Sequence, residues 1–488
     1  MIETQEVELK LELPVDCVEA FREAAAANQS KRRSVRQTTT YFDTPKGHLR
    51  KAGYSLRIRR KGSVHLQTVK ERGADSGGFS SRSEWEQRIE GSELDFAALR
   101  GTPVGALLSK RDARKRLAVV SETRVRRTTW LVRGGRSTIE MILDEGEVVS
   151  GGRCVPLCEV ELELKKGRPS DLFALARALA LRVPLRMGVT SKSERGFRLL
   201  EGKANRVRKA EPVKLSRDST IAQAFATIVQ SCLRHFRLNE EILLKERNAS
   251  ALHQARVAMR RLRSALTLFK PVVADEEFER IRSELRWFTG KLGEARNLDV
   301  LIAGDAGLGG EREAAQFRKD LRQARKAAYA GVGDALRDPR FLLLVLDLVA
   351  WSEVGAWRSL GRAGHPIPEF ACERLEKGWR RARKAAADMA ASSPEERHRL
   401  RIDVKKLRYA AEFFASLAPK DSKPRQRKFL DRLEAMQESL GKLNDVETAK
   451  AIAPELAAQR DDPAASAELL AQAQQAYAQL KEIGRYWR

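Results

Sequence analysis

The chain has 488 residues, and its 92 lysines and arginines exceed its 66 aspartates and glutamates by 26. This excess of positive charge indicates an anionic partner, with polyphosphate and nucleic acid both open on charge alone. The five cysteines form no Cys-x-x-Cys pair and leave one unpaired under any disulfide scheme, which favours a reducing compartment. No membrane span is predicted, because the longest apolar run, 341–351, is too short and contains Asp347.

The first predicted element is a strand over residues 6–13, in which charged and apolar residues alternate strictly. Successive side chains of a strand point to opposite faces, so one face is ionic and the other apolar. The ionic face carries Glu6, Glu8, Lys10 and Glu12. A near copy over residues 159–165 again aligns three carboxylates and a lysine, namely Glu159, Glu161, Glu163 and Lys165.

Further alternating segments lie between these two strands. Residues 55–59, 66–70 and 123–127 are basic, whereas 84–86 and 140–144 are acidic. Aligned carboxylates repel one another unless a cation lies between them. Strands closed into a barrel with their charged faces inward would hold carboxylates for a divalent metal and cations for a polyanion. For a single strand, a half-exposed sheet with solvated charges is the better interpretation, but recurrence over about six strands favours the barrel.

A polar and basic stretch at residues 202–216 contains Pro212 and is predicted to link two domains, 1–201 and 217–488. Beyond it, apolar residues recur at helical spacing over 219–270, 274–303, 311–337, 370–390, 395–417 and 425–455. Prolines such as Pro271, Pro339 and Pro394 are expected where helices start or stop. The second domain is therefore predicted to be an all-α bundle.

This helical half contains an internal repeat, in which a His-x-x-Arg motif recurs after 145 residues (398 − 253). At 100° per residue the histidine and basic residues of one copy fall within an arc of roughly 80°. Neither copy of this face contains an acid, which favours an anion-binding stripe, although packing is the alternative role for the histidines. The two stripes are His253, Arg256, Arg260 and Arg263, and His398, Arg401, Lys405 and Arg408.

Residues 1 to about 200 resemble the CYTH domain, the triphosphate tunnel metalloenzyme family, whose signature is a Glu-x-Glu-x-Lys strand, here Glu6 to Lys10. Supporting motifs are Tyr41-Phe42-Asp43-Thr44, Leu56-Arg57-Ile58-Arg59, Lys70, Glu84-Trp85-Glu86, Leu143-Asp144-Glu145-Gly146 and Ser191-Lys192-Ser193-Glu194-Arg195-Gly196. The resemblance implies an α+β domain built on a closed, eight-stranded antiparallel tunnel. It also implies Mg2+ or Mn2+ held by glutamates of the first and last long strands, with triphosphate held by lysines and arginines.

Residue by residue, the resemblance implies two overlapping sets. The candidate catalytic residues are Glu6, Glu8, Lys10, Arg57, Arg59, Lys70, Arg127 and Lys192, and these cations together with Lys165 would bind substrate. The candidate metal ligands are Glu6, Glu8, Glu161, Glu163, Asp144 and Glu159. For Glu159 the alternative role is to position water or a second ion. Strand alternation leaves two choices for residues 123–127: either Arg124 and Arg126 point into the tunnel, or Arg127 does. The family pattern has an arginine three residues before an aromatic residue, which matches Arg127. Arg126 is the alternative.

Residues 217–488 resemble the CHAD domain, a helical module rich in histidines and basic residues that binds inorganic polyphosphate. The resemblance rests on the two His-x-x-Arg helices, on residues 292–299 and on residues 408–414. Asn297 stands where an aspartate is common in the family. The resemblance implies that the two basic stripes line a groove or pore for a phosphate chain.

The expected function is metal-dependent hydrolysis of inorganic triphosphate or short polyphosphate, an inorganic triphosphatase activity, together with polyphosphate binding by the helical domain. The alternatives are a tunnel enzyme for thiamine triphosphate, a nucleotide or an RNA 5'-triphosphate, a class IV adenylate cyclase, and a noncatalytic protein that binds polyphosphate at granules. Nucleic-acid binding is disfavoured, because base stacking needs exposed aromatic side chains and aromatics make up 6% of the chain. The absence of a basic and apolar leader predicts a cytoplasmic protein, with granule association as a further expectation.

Overall fold

The computed structural model describes residues 2–26, 32–71, 77–109, 111–203, 206–304, 311–452 and 462–487. Its strands all lie in the first 190 residues. They are β1 (Ile2–Glu12), β2 (Arg32–Asp43), β3 (Tyr54–Lys61), β4 (Val64–Glu71), β5 (Phe79–Ile89), β6 (Ala118–Gly134), β7 (Ser137–Ser150), β8 (Arg153–Lys166) and β9 (Arg186–Met187).

The eight long strands form one antiparallel sheet in the order β5-β4-β3-β2-β6-β7-β8-β1. Strand β1 pairs with β8 on one side and with β5 on the other, which closes the sheet into a barrel. The short β9 pairs with the end of β1, where Leu11 faces Met187. The predicted closed eight-stranded antiparallel tunnel is therefore confirmed.

Helices α1 to α6 accompany the barrel and α7 to α15 form the rest of the chain. The first group is α1 (Val18–Ala26), α2 (His48–Lys51), α3 (Pro103–Leu107), α4 (Arg111–Lys115), α5 (Pro169–Ala180) and α6 (Lys192–Leu200). The second is α7 (Ile221–Leu243), α8 (Ala249–Val273), α9 (Glu276–Gly304), α10 (Glu311–Arg337), α11 (Pro339–Val354), α12 (Ile367–Ala385), α13 (Pro394–Phe413), α14 (Lys423–Ile452) and α15 (Pro463–Ile483).

The alternation of β1 and β8 separates a charged lumen from an apolar exterior. Leu9, Leu11 and Leu162 are fully buried on the outside of the barrel. Phe21 of α1 and Phe173 of α5 belong to the same apolar core and are also fully buried. The helices thus bury the outer face of the barrel and leave the ionic residues of these strands for the interior.

The helical half agrees with the predicted all-α architecture. Thr220 caps α7 and Ser393 caps α13, each in a capping box with a residue three positions on. The predicted segment 219–270 is divided into α7 and α8. Pro271 lies inside α8, and the helix ends at Val273, so the boundary expected at this proline was wrong by two residues.

The two halves share one continuous apolar core. Phe79 of β5 packs against Phe173 of α5, with ring centroids 5.3 Å apart. Helix α5 in turn contacts α11, where Arg177 Nε donates to Asp347 Oδ1 at 2.6 Å. The domain boundaries at residues 201 and 217 stay a prediction. Among the described helices, none combines the length and apolarity that crossing a bilayer requires.

Candidate functional site

A cavity of about 1280 Å3 runs through the barrel. Its wall is built from inward-facing charged side chains of the strands, extended at one end by residues of α6. The predicted site residues that line it are Glu6, Glu8, Lys10, Arg57, Arg59, Lys70, Arg127, Glu161, Glu163, Lys165 and Lys192. The structure therefore brings residues that span more than 180 positions of the sequence to one lumen.

Three carboxylates from two adjacent strands form a compact acidic cluster, defined here as Asp144, Glu159 and Glu161. Each offers an oxygen that lies within 4.8 Å of the others. Antiparallel pairing of β7 with β8 places Asp144 directly opposite Glu159, and both are fully buried. Glu159 Oε2 is buried without a hydrogen-bond partner, although buried oxygens are usually satisfied. The cluster thus has ligand capacity that the protein itself does not use.

Three cationic side chains cover the acidic cluster. Lys192 Nζ lies 2.8 Å from Asp144 Oδ2 and 2.9 Å from Glu161 Oε1, and it also contacts Glu159. Arg127 donates to Asp144 Oδ1 at 2.7 Å and to Glu161 Oε2 at 2.9 Å. Lys10 Nζ is 3.4 Å from Glu161. Glu161 is therefore the carboxylate on which all three cations converge.

These contacts decide the protonation states at the cluster. Burial by itself would raise the pKa of Glu161, but the charges of Lys192, Lys10 and Arg127 hold that pKa well below its ordinary value. Burial likewise opposes the charge of Lys192, yet Asp144, Glu159 and Glu161 raise the pKa of this lysine well above its ordinary value. Glu161 and Lys192 are both charged at neutral pH, so the lysine is an electrostatic group and not a proton donor.

Glu6 and Glu8 form a second ionic group on β1, the strand that pairs directly with β8. Lys70 Nζ lies 2.7 Å from Glu6 Oε2, and Arg82 contacts both glutamates. Burial would raise the pKa of Glu6, but Lys70 and then Arg82 lower it below the ordinary value. Among the described residues, the glutamates of β1 thus do not join the acidic cluster.

The remaining predicted carboxylate ligand, Glu163, also lies apart from the cluster. Its partner is Lys165, which contacts Glu140 as well at 3.1 Å. Glu159, for which a second role was the alternative, belongs to the cluster together with Asp144. The structure therefore divides the predicted metal ligands into three groups. Within the acidic cluster Glu161 lines the cavity, whereas Asp144 and Glu159 are fully buried and are not part of its lining.

The ambiguity in β6 is decided by the register of the sheet. Arg127 faces the lumen because β6 pairs with β7 so that Arg127 lies opposite Asp144. Arg126 faces away and lines a separate cavity of about 610 Å3 together with Arg124. The alternative assignment of Arg126 to the lumen is wrong.

Arg59 differs from the other lumen cations because it has no carboxylate within salt-bridge distance among the described residues. Its Nε is buried without a hydrogen-bond partner. Burial, and after it the neighbouring charges of Arg57 and Arg127, lower the pKa of Arg59 to about 10. A desolvated cation next to two others indicates the place of an anion.

Arg82 was not among the predicted site residues. It lines the cavity and bridges Glu6 and Glu8 from the neighbouring strand β5. Arg82, Glu84 and Glu86 follow one another at two-residue spacing, so they share one face of the strand. This alternation was the signal that could have placed Arg82 in the lumen.

The two basic stripes of the helical half lie side by side. Arg260 Nε of α8 donates to Tyr409 Oη of α13 at 2.8 Å. The pKa of Lys405 is lowered to about 8, mainly by burial and then by the charges of Arg260, Arg401, Arg256 and Arg408. Cations of both helices are therefore close enough to repel one another, and the adjoining stripes of α8 and α13 concentrate positive charge.

The stripe residues differ in how far the protein neutralises them. In the described parts of the chain, Arg256, Arg260 and Lys405 form no salt bridge. Arg408, in contrast, lies 3.3 Å from Glu412 and 3.1 Å from Glu434.

The outer members of the stripes face other partners. His398 contacts Asn444, and Arg263 lies near Thr289 and experiences the charges of Arg282 and Arg286. Arg296, which was not predicted, lies near His253 and Arg256 and lowers the pKa of both, after burial. The central cations of the two stripes, Arg256, Arg260 and Lys405, thus have no ion pair among the described residues.

Two family models match the chain, each to one half. Residues 4–197 match the CYTH domain and residues 227–454 match the CHAD domain. The chain therefore contains a CYTH domain followed by a CHAD domain, which confirms the resemblances drawn from its motifs.

Individual relatives match parts of the chain. The inorganic triphosphatase of Haemophilus influenzae is 32% identical over 198 residues, which are 40% of this chain and 55% of that protein. The chain thus matches little more than half the length of this curated relative. The solved structure of the CHAD domain from the plant Ricinus communis is 30% identical to this chain, with a TM-score of 0.46. The alignment covers 57% of this chain and 92% of that structure. A putative adenylyl cyclase from Hippeastrum, described as having a dominant triphosphatase activity, is 23% identical over 41% of this chain and 96% of its own, with a TM-score of 0.33.

Proposed function

We propose that the tunnel hydrolyses inorganic triphosphate or short polyphosphate with the help of Mg2+ or Mn2+. The observation that carries this proposal is Arg59, a half-buried cation of the cavity wall whose Nε is buried and which has no carboxylate partner in the described structure. It lies next to Arg57 and Arg127 and across the lumen from carboxylates. Phosphate oxygens would supply the negative charge that Arg59 lacks. Similarity to an inorganic triphosphatase supports the same substrate class.

The residues present fit a divalent cation. Asp144, Glu159 and Glu161 offer converging oxygens, and Glu159 Oε2 has no other partner. Oxygen ligands of this kind suit Mg2+ and Mn2+. When bound there, the metal would neutralise charge on the phosphate oxygens. Glu6 and Glu8 contact Lys70 and Arg82 and are proposed to line the substrate path beside this metal site, on the strand next to β8.

The protein's own cations would do most of the remaining work. Lys10, Lys192 and Arg127 already converge on the acidic cluster and can turn toward phosphate oxygens when substrate enters. Phosphoryl transfer spreads negative charge over equatorial oxygens, which fixed cations of the lumen would stabilise. Because the pKa of Lys192 is held well above its ordinary value, this residue would bind and orient phosphate without giving up a proton.

The adjoining stripes of α8 and α13 are proposed to bind long-chain polyphosphate. Arg256, Arg260 and Lys405 face one another without neutralising carboxylates in the described region, and a chain of phosphates presents charge at regular spacing. We further propose that the protein both binds and shortens polyphosphate. Its proposed location is the cytoplasm, in association with polyphosphate granules.

The decisive test is phosphate release by the full chain with Mg2+ or Mn2+, then with EDTA. Inorganic triphosphate is compared with ATP, thiamine triphosphate and long polyphosphate. We expect metal-dependent release that is fastest from inorganic triphosphate. Fastest release from another substrate would identify a different tunnel enzyme, and no release together with tight retention of long polyphosphate would leave a binding protein.

The two proposed sites are separable by substitution. Glu6→Gln should slow metal-dependent hydrolysis, because Glu6 pairs with the lumen cations Lys70 and Arg82, and should spare polyphosphate retention. Arg260→Ala with Lys405→Ala should weaken retention and spare hydrolysis. Retention is measured by filter binding of long polyphosphate. Loss of long-chain binding in Glu6→Gln would contradict the assignment of separate sites.

A further inference from the structure

The first helix of the CHAD half, α7, contacts the backbone of the tunnel domain at Gly77, whose N–H donates to Gln230 Oε1, and at residues 187–192. Arg237 Nε of α7 donates to the Met187 carbonyl oxygen at 2.8 Å. Arg234 of the same helix donates to the Val189 carbonyl oxygen. Both arginines are 5% exposed. Two buried guanidinium groups thus hold the carbonyls on either side of Gly188.

This segment supports two lysines of the lumen. The Gly188 N–H donates to the Lys10 carbonyl oxygen at 2.8 Å. A Cβ atom at Gly188 would lie 2.6 Å from Lys10 Cγ, so the Lys10 side chain lies directly against the backbone of this glycine. The segment then leads into α6, whose first residue is Lys192 and whose N-cap is Ser191. Displacing the segment would therefore move both lysines relative to the acidic cluster.

Ion pairs reinforce the same contact. Arg234 pairs with Glu194 in the first turn of α6, two residues after Lys192. Arg237 Nη2 lies 3.1 Å from Glu12 at the end of β1, and Glu12 also pairs with Arg195 of α6. Burial would raise the pKa of Glu12, but Arg195 and Arg237 lower it. Helices α6 and α7 are thus joined to the strand that carries Lys10 through one carboxylate.

We infer that Arg234 and Arg237 are positioning residues of the tunnel site, so that the CHAD half completes the phosphate-binding site of the CYTH half. The inference rests on the proposed function, because it takes Lys10 and Lys192 as ligands of phosphate. Arg234 forms part of the cavity wall, whereas Arg237 does not. Each acts through the segment that places the two lysines, and small displacements of binding groups are costly for affinity and rate.

The test uses the full chain with Arg234→Met, Arg237→Met and the milder Arg234→Lys. Arg358→Met is the matched control, because Arg358 Nη1 donates to the carbonyls of Ser352 at 2.6 Å and Ala222 at 3.3 Å, away from the tunnel. The melting temperature is measured for each variant. Binding of inorganic triphosphate is measured calorimetrically in EDTA, and kcat and KM are measured with Mg2+.

Both methionine variants should weaken triphosphate binding by roughly tenfold or more. Arg358→Met should bind as the wild type does, even at an equal loss of melting temperature. Arg234→Lys should recover part of the affinity, because a lysine can still reach one acceptor. If a methionine variant does not fold, the test rests on Arg234→Lys. A triphosphate affinity of Arg234→Lys equal to that of the wild type would then contradict the inference.

The outcomes separate this inference from the proposed function. Wild-type protein that binds triphosphate without hydrolysing it would refute the hydrolase and leave the binding comparison valid. Hydrolysis and binding that are unchanged in Arg234→Met and Arg237→Met, or reduced only as much as in Arg358→Met, would refute the positioning role alone. A wild-type protein that does not bind triphosphate would refute both.

Discussion

The pKa of Lys405 makes polyphosphate binding depend on pH in a predictable direction. Burial and four neighbouring arginines lower this pKa to about 8 in the free protein. A bound polyanion brings negative charge next to the ammonium and raises the pKa, so binding takes up a proton above pH 8. Affinity should therefore be highest below pH 8 and should fall as the pH rises above it.

The magnitude follows from the protonated fraction of Lys405. With a pKa of about 8, that fraction is about ten elevenths at pH 7 and about one eleventh at pH 9. If the charged form is the one that binds, the dissociation constant for long polyphosphate rises up to roughly tenfold between these values, or about 1.4 kcal/mol. The pKa of His253 is lowered from 6.5 by burial and then by neighbouring arginines, so this histidine does not titrate in the window.

The assay is competition for long polyphosphate at pH 7, 8 and 9 with constant ionic strength, because salt screens the same interactions. Lys405→Arg should bind with little change over this range, since arginine keeps its charge. Lys406→Arg is the control and should retain the slope, because Lys406 is exposed and pairs with Asp403 on the outside of the helix. A flat profile in the wild type, or an unchanged slope in Lys405→Arg, would refute the reasoning.

Three further predictions concern the tunnel. Glu161→Gln should reduce Mg2+-dependent phosphate release by roughly a hundredfold or more, because it removes the carboxylate on which three cations and the proposed metal converge; a rate within tenfold of wild type would contradict this. Arg59→Met should raise the melting temperature, since it removes a half-buried, unpaired charge, and should raise KM for triphosphate roughly tenfold. Calorimetry and steady-state kinetics measure the two effects, and a lower melting temperature with unchanged KM would oppose the assignment. Gly146→Ala should destabilise the barrel by about 1–3 kcal/mol, because the added Cβ would lie 1.9 Å from a carbonyl oxygen of β6. Gly134→Ala is the control and should have little effect, because the space around Gly134 is open. Denaturant unfolding measures both changes in stability.

Much of the fold and part of the candidate site were predictable from local pattern. Alternation in residues 6–13 and 159–165 assigns one face of each strand to charge, because side chains of a strand alternate with period two. The repeat of His253 and His398 likewise predicts two equivalent basic helices. These inferences needed only the geometry of single elements, and the structure confirms the barrel and the helical bundle built from them.

The tertiary structure decided what depends on the relation between elements. Parity allowed Arg126 or Arg127 into the lumen, and only the pairing of β6 with β7 turned Arg127 toward Asp144. Register also gathered Asp144 and Glu159 into one cluster and kept Glu6 apart from it. The contacts of α7 with residues 187–192 carried no sequence signal, because an arginine on a helix shows its charge in the sequence but not which carbonyl it will reach. Packing of the two halves against each other fixes those distances, and the periodicity of one chain segment contains no information about them.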